Sequence, residues 1–125
     1  MSSNSNHKLI IAVKQGEEIN LGFTIKQNNN PYAFVDTSIL FQVKKAPYED
    51  SEPIIKKEIT TTSDINTVGN INFPELGQFV VHLTKEDTSN KIGEYYLVIS
   101  LVGNNMDNII SSNNCQTATF KICEQ

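Results

Sequence analysis

The stretch from Gly93 to Val102, GEYYLVISLV, constrains the fold more than any other. Its residues alternate cleanly, with Tyr95, Leu97, Ile99 and Leu101 on one side and Tyr96, Val98, Ser100 and Val102 on the other. Its aromatic and β-branched content favours an extended backbone over a helical one, so it reads as a central strand. No segment of the chain sustains a 3.6-residue period. The single place for a helical turn is Lys85 to Asn90, with Thr84 as its cap. An all-β chain is expected.

Taken in order, the other segments agree. Leu9 to Lys14 is a short apolar run ended by Gln15-Gly16-Glu17-Glu18, after which Ile19, Leu21, Phe23 and Ile25 alternate with polar or small residues. Asn28-Asn29-Asn30-Pro31 then predicts a turn that closes this second strand, because Asn tolerates left-handed backbone and Pro cannot continue a ladder. Ile39, Phe41 and Val43 alternate with Leu40, Gln42 and Lys44 in a third strand, followed by the acidic loop Tyr48 to Pro53. Ile54 to Thr60 mixes Ile55 and Ile59 with lysines and Glu58, the mark of an edge strand that discourages pairing. Thr60 to Asn66 is a polar connection. Ile71 and Phe73, the turn Pro74-Glu75-Leu76-Gly77, and Phe79, Val81 and Leu83 read as a hairpin. Gly103 to Asn108 is a turn cluster, Ile109-Ile110 returns, and Thr117 to Ile122 is the last strand.

Seven to nine strands at this spacing predict an immunoglobulin-like antiparallel β-sandwich, one domain over residues 1–125 with 1–8 disordered. The polar run Leu83 to Ile92 leading into Gly93-Glu94-Tyr95 resembles the corner before the sixth strand of such sandwiches. The expected core holds Leu21, Phe23, Phe41, Val43, Phe79, Val81, Leu83, Tyr95, Leu97, Ile99 and Phe120. A chain of 125 residues can bury a core without staples, and a 38% hydrophobic, 19% charged composition argues against disorder throughout.

The net charge is -4 and every basic residue is lysine, which leaves no guanidinium fork for phosphates or base edges. Nucleic acid is not an expected partner. The doublets Lys44-Lys45 and Lys56-Lys57 read as solvated or edge-strand lysines. The start, Met1 to Lys8, is polar, and no run reaches the ~18 apolar residues of a membrane helix, so no membrane association is expected. Cys115 and Cys123 flank one strand and would stand ~26 Å apart, beyond the ~7 Å a disulfide allows. Free thiols are expected.

Candidate chemistry is sparse. A nucleophile needs a base in reach, and the chain offers only His7 near its start and His82 on a strand, where its alternation with core residues turns it outward or to a sheet rim. There is no Gly-x-Ser-x-Gly elbow, no Gly-rich phosphate loop and no Cys-x-x-Cys pair for zinc. Glu49-Asp50-Ser51-Glu52 and Asn104-Asn105-Met106-Asp107-Asn108 gather oxygens that suit calcium, but neither has EF-hand spacing and both read as solvated turns. With no Trp, a sugar platform would have to come from Tyr32, Tyr48 or Tyr96. No catalytic, cofactor-binding or metal residue is assigned, and no cofactor is expected.

Three motifs carry a family resemblance. They are Lys14-Gln15-Gly16-Glu17, then Pro31-Tyr32-Ala33-Phe34-Val35-Asp36-Thr37 before Phe41-Gln42-Val43-Lys44, and Asp87-Thr88 before Gly93-Glu94-Tyr95-Tyr96-Leu97-Val98-Ile99. In this order the chain, from Leu9 to Ile122, resembles the N-terminal immunoglobulin-like domain of the phage baseplate upper protein family. It departs from that pattern at Glu17 and Ala33, where the family prefers Asp, and at Asp36, where it prefers Gly, so the turn before Ile39 to Lys44 is expected to differ in shape.

The resemblance implies a non-enzymatic structural or adaptor module of a phage or prophage tail. In larger members this domain anchors the protein to the tail hub while a distal region binds the receptor. Here the expectation is an adaptor or decoration, standing alone or as a piece of a longer protein. It would assemble in the bacterial cytoplasm and then reside in the virion tail, with other tail or baseplate proteins as partners and a homo-oligomer possible within the assembly. The surfaces expected to serve it are the edge Ile54 to Thr60 and the loops carrying Tyr32 and Tyr48. The rival readings are a carbohydrate-binding or adhesive sandwich of a bacterial surface protein and, last, an enzyme whose site the sequence hides.

Overall fold

A computed structural model describes residues 8–46, 50–102, 107–110 and 117–124. The strands are β1 (Lys8–Lys14), β2 (Ile19–Thr24), β3 (Lys26–Gln27), β4 (Asn30–Pro31), β5 (Ser38–Lys44), β6 (Pro53–Ile59), β7 (Gly69–Phe73), β8 (Gln78–Leu83), β9 (Gly93–Val102), β10 (Asp107–Ile110) and β11 (Thr117–Cys123). A 3-10 turn, Pro74–Leu76, joins β7 to β8, and one helical turn, α1 (Lys85–Thr88), precedes β9.

Nine of these strands form two sheets. The larger has the order β1-β11-β9-β5-β6, with β10 also on β9; the smaller is β2-β8-β7. This is the immunoglobulin-like division, with consecutive strands traded between two sheets and β9 in the middle of the larger one. The ten-residue β9 holds that place because it pairs with all of β5, Ser38 opposite Val102 through Lys44 opposite Tyr96, and with β10 and β11 on its other side.

Alternation decides what faces the core. Ile39, Phe41 and Val43 of β5, Val81 and Leu83 of β8, and Leu97 and Ile99 of β9 are fully buried, whereas Leu40, Gln42 and Val80 are not. Four phenylalanines meet in the core: Phe23 stacks on its cross-strand neighbour Phe79 within the small sheet at 5.1 Å, Phe41 meets Phe120 edge-on within the large sheet at 6.2 Å, and Phe23 leans across the interior on Phe41 at 6.1 Å. Such offset and edge-on pairs contribute beyond the area they bury. Every expected core residue belongs to this cluster, with Leu21, Phe23 and Tyr95 packed against it half-buried.

Several details differ from the sequence reading. The pairing is antiparallel except at one edge, where β1 runs parallel to β11, Lys8 beside Thr117 through Lys14 beside Cys123. The Asn run does more than end a strand: Asn28 (φ 54°) and Asn29 (φ 67°) make a two-residue loop between β3 and β4, because left-handed backbone at both positions is what the tight hairpin requires. Asp36 takes φ 48°, a left-handed conformation, and next to it the Thr37 hydroxyl donates to the Val35 carbonyl at 2.6 Å.

One lysine of each doublet is not solvated. Lys44 is buried, and Lys57 points inward between Ile55 and Ile59 with its side chain 10% exposed. Lys45 and Lys56 are exposed as expected. On the face of β9 away from the core, Val98 and Ser100 are buried as well. Cys123 is an exposed free thiol, while Cys115 lies outside the described residues, and with it the expected lack of a bridge.

Candidate binding surface

The two ends of the sandwich are built differently, and the difference isolates a surface. At one end the chain leaves β8 through Thr84, whose extended backbone and hydroxyl suit an N-cap. Its hydroxyl accepts from the Asp87 N–H at 3.3 Å while the Asp87 carboxylate accepts from the Thr84 N–H at 2.7 Å, a reciprocal capping box. The same carboxylate oxygen meets the Lys57 ammonium at 2.7 Å, and that ammonium also donates to the Thr67 carbonyl at 2.7 Å. Burial pushes the Asp87 carboxyl up, but the bonds from Lys57 and Thr84 outweigh it and hold the group below its usual 3.8.

Other groups of this end are tied the same way, although Ile92 is 50% exposed. The buried Thr88 hydroxyl accepts from the Gly16 N–H at 2.8 Å, and the Tyr95 hydroxyl donates to the Lys91 carbonyl at 2.7 Å, the tyrosine corner of immunoglobulin-like domains. His82 points outward from β8, as its alternation with core residues predicts, and is buried there. Its Nδ1 sits 2.6 Å from Asn20 Oδ1, the cross-strand neighbour, and its Nε2 sits 2.9 Å from Glu18 Oε2. The Nε2 contact thus holds the 15–18 turn on the sheet, while Nδ1 ties β8 to β2.

At the opposite end, backbone bonds replace side chains. The Ile25 N–H donates to the Gly77 carbonyl at 2.9 Å, the Tyr32 N–H to the Ile25 carbonyl at 3.0 Å, and the Phe34 N–H to the Pro74 carbonyl at 2.9 Å. Gly77 (φ 68°) is required here: a Cβ would stand 2.5 Å from the Ile25 carbonyl oxygen and 2.6 Å from that of Tyr32. On this frame some side chains turn inward and others outward. Phe34 is buried, edge-on to Phe79 at 6.1 Å, but the next residue, Val35, is 72% exposed. Beside it Phe73 is 50% and Leu76 45% exposed. Three large apolar residues therefore occupy adjoining backbone segments of one end, held in place by main-chain bonds.

Of the residues singled out from sequence, Tyr32 belongs to this end but is half-buried against Phe34, with ring centroids 6.0 Å apart. Tyr96 is exposed on the outer face of the large sheet. The edge Ile54 to Thr60 is a sheet edge, as β6 closes the order, yet its inward Lys57 serves the opposite end. His7, Tyr48 and the side chains of the Asn104 to Asn108 loop lie outside the described residues. Among the described residues no three acidic, His or Cys side chains gather as metal ligands, and no helix is long and apolar enough to cross a membrane.

The sequence did not mark Phe73 as a surface residue. Ile71 and Phe73 are two apart and read as one face, but a break in register between Asn70 and Phe73 opposite β8 turns Phe73 out, leaving Ile71 3% exposed. Comparison with protein-family models and with curated proteins finds no match for the chain.

Proposed function

We propose that the chain is a non-enzymatic docking module of a phage or prophage tail, bound to a neighbouring tail or baseplate protein through the end that carries Val35, Phe73 and Leu76. The observation that carries the protein-binding part is the exposure of these three side chains on a frame of backbone hydrogen bonds. Apolar groups held rigidly lose little entropy on binding and gain the transfer free energy of the area they bury. The tail assignment rests on the resemblance of the three sequence motifs. Asp87, Thr88 and Tyr95, which carry the third, tie the corner before β9, so they support a shared scaffold while the partner is chosen elsewhere.

Affinity capture with the tagged chain against the products of neighbouring tail-assembly genes tests this, with a glycan array alongside. Selective capture of a tail or baseplate protein, lost in a Val35→Asp, Phe73→Asp double variant, is expected. Selective glycan binding without a protein partner would overturn it in favour of the adhesive reading, for which Tyr96 is an exposed ring on the large sheet.

A further inference from the structure

We infer that the open edge of β1 accepts an extended segment of another protein, one with apolar residues between acidic ends. β1 ends the large sheet, and among the described residues nothing pairs with its outer side. The Gln15 N–H donates to the Cys123 carbonyl at 2.9 Å, which fixes the parity of this parallel ladder: odd-numbered residues bond to β11. Ile10, Ala12 and Lys14 therefore turn their backbone groups outward. Of these, the Lys14 carbonyl accepts from the Glu17 N–H at 3.3 Å, while the N–H and C=O of Ile10 and Ala12 stand in line as a template.

The other edge of this sheet is guarded along its length, and β1 only by the lysines at its two ends. β6 opens on Pro53, breaks register between Val43 and Lys44 of its neighbour, and exposes Lys56 and Glu58, all devices that discourage pairing. β1 has seven residues with no proline and no register break against β11, and Ile10 is 49% exposed on its outer face.

Charge selects the occupant. The antiparallel register that would pair all seven residues with a second copy sets Lys8 against Lys14 twice, and like charges directly opposite are destabilising. An incoming strand with carboxylates at both ends removes that repulsion and replaces it with attraction. The inference deepens the proposed function by naming a second surface and its partner's chemistry. It rests on that reading only in taking the partner to be a protein.

The test uses the whole chain and two acetylated, amidated heptapeptides, Glu-Val-Thr-Val-Thr-Val-Glu and its counterpart with Lys at both ends. Amide exchange by NMR reads the edge. The acidic peptide should slow exchange at Ile10 and Ala12 by about tenfold or more, with the inner ladder of β1 unchanged. Ala12→Pro removes one outward donor at a position where an edge strand tolerates proline, and should weaken binding about tenfold. Lys14→Glu should shift the preference toward the lysine-ended peptide without disturbing the fold. Equal binding of both peptides, or unchanged exchange at Ile10 and Ala12 under saturating peptide, would overturn the proposal. So would self-association of the chain abolished by Ala12→Pro, since the occupant would then be a second copy. A blank result leaves capture through Val35 and Phe73 standing, and loss of that capture leaves the edge standing.

Discussion

At the end that holds α1, side chains do the tying: Lys57 and Asp87 join β6 to the helical turn, Thr88 holds Gly16, and Tyr95 closes back on Lys91. At the end that holds the β3–β4 ribbon, main-chain bonds among Ile25, Tyr32, Phe34, Pro74 and Gly77 give the frame, and the side chains of Val35, Phe73 and Leu76 are left over. Under the proposed function, the contrast separates stability from recognition. Where side chains are consumed by the fold they cannot meet a partner, and where the backbone satisfies itself the side chains are free to do so.

The largest expected effect belongs to neither end and sets the scale. Leu97 is fully buried at the centre of β9, and Leu97→Ala should cost about 2–5 kcal/mol in urea unfolding through lost transfer energy and a residual cavity. Asp87→Ala comes next. It removes the capping box and one of the two partners of the Lys57 ammonium, for an expected loss of about 2 kcal/mol.

The same carboxylate gives the α1 end a pH signature. Its folded-state pKa lies below the usual 3.8, so its contribution is fully present above that value and is lost as pH falls through the depressed one. Acid titration of stability should show this loss in the parent and not in Asp87→Asn. At the ribbon end, Gly77→Ala should cost about 2 kcal/mol, because the new Cβ meets two backbone carbonyls at a left-handed φ. If Gly77→Ala proved harmless while Asp87→Ala unfolded the chain, the ribbon frame would be looser than the bonds across it require.

Much of this fold was legible because local pattern and local chemistry agreed. The alternation of Gly93 to Val102 places β9, and Thr84 followed by Asp87 three residues on specifies the helical turn that forms there. What stayed hidden depends on pairing between distant segments. Nothing in Leu9 to Lys14 or Thr117 to Ile122 announces that the two lie parallel, and a register break opposite β8 is invisible in Ile71-Asn72-Phe73. Lys57 looked like an edge charge because its partner, Asp87, is thirty residues away in sequence. The apolar end was missed for the same reason: the segments that carry Val35 and Phe73 adjoin through the bond from the Phe34 N–H to the Pro74 carbonyl.

The smallest expected effect on stability is the one that matters most for function. Val35→Asp with Phe73→Asp changes two exposed side chains and should alter unfolding free energy by no more than about 1 kcal/mol in total. Capture of a tail protein by this double variant, measured beside Asp87→Asn at a temperature where both are folded, tests the division of labour most directly. The account predicts that the double variant melts like the parent and captures nothing, while Asp87→Asn melts earlier and captures the partner with unchanged affinity. Capture retained by Val35→Asp, Phe73→Asp and lost in folded Asp87→Asn would contradict it.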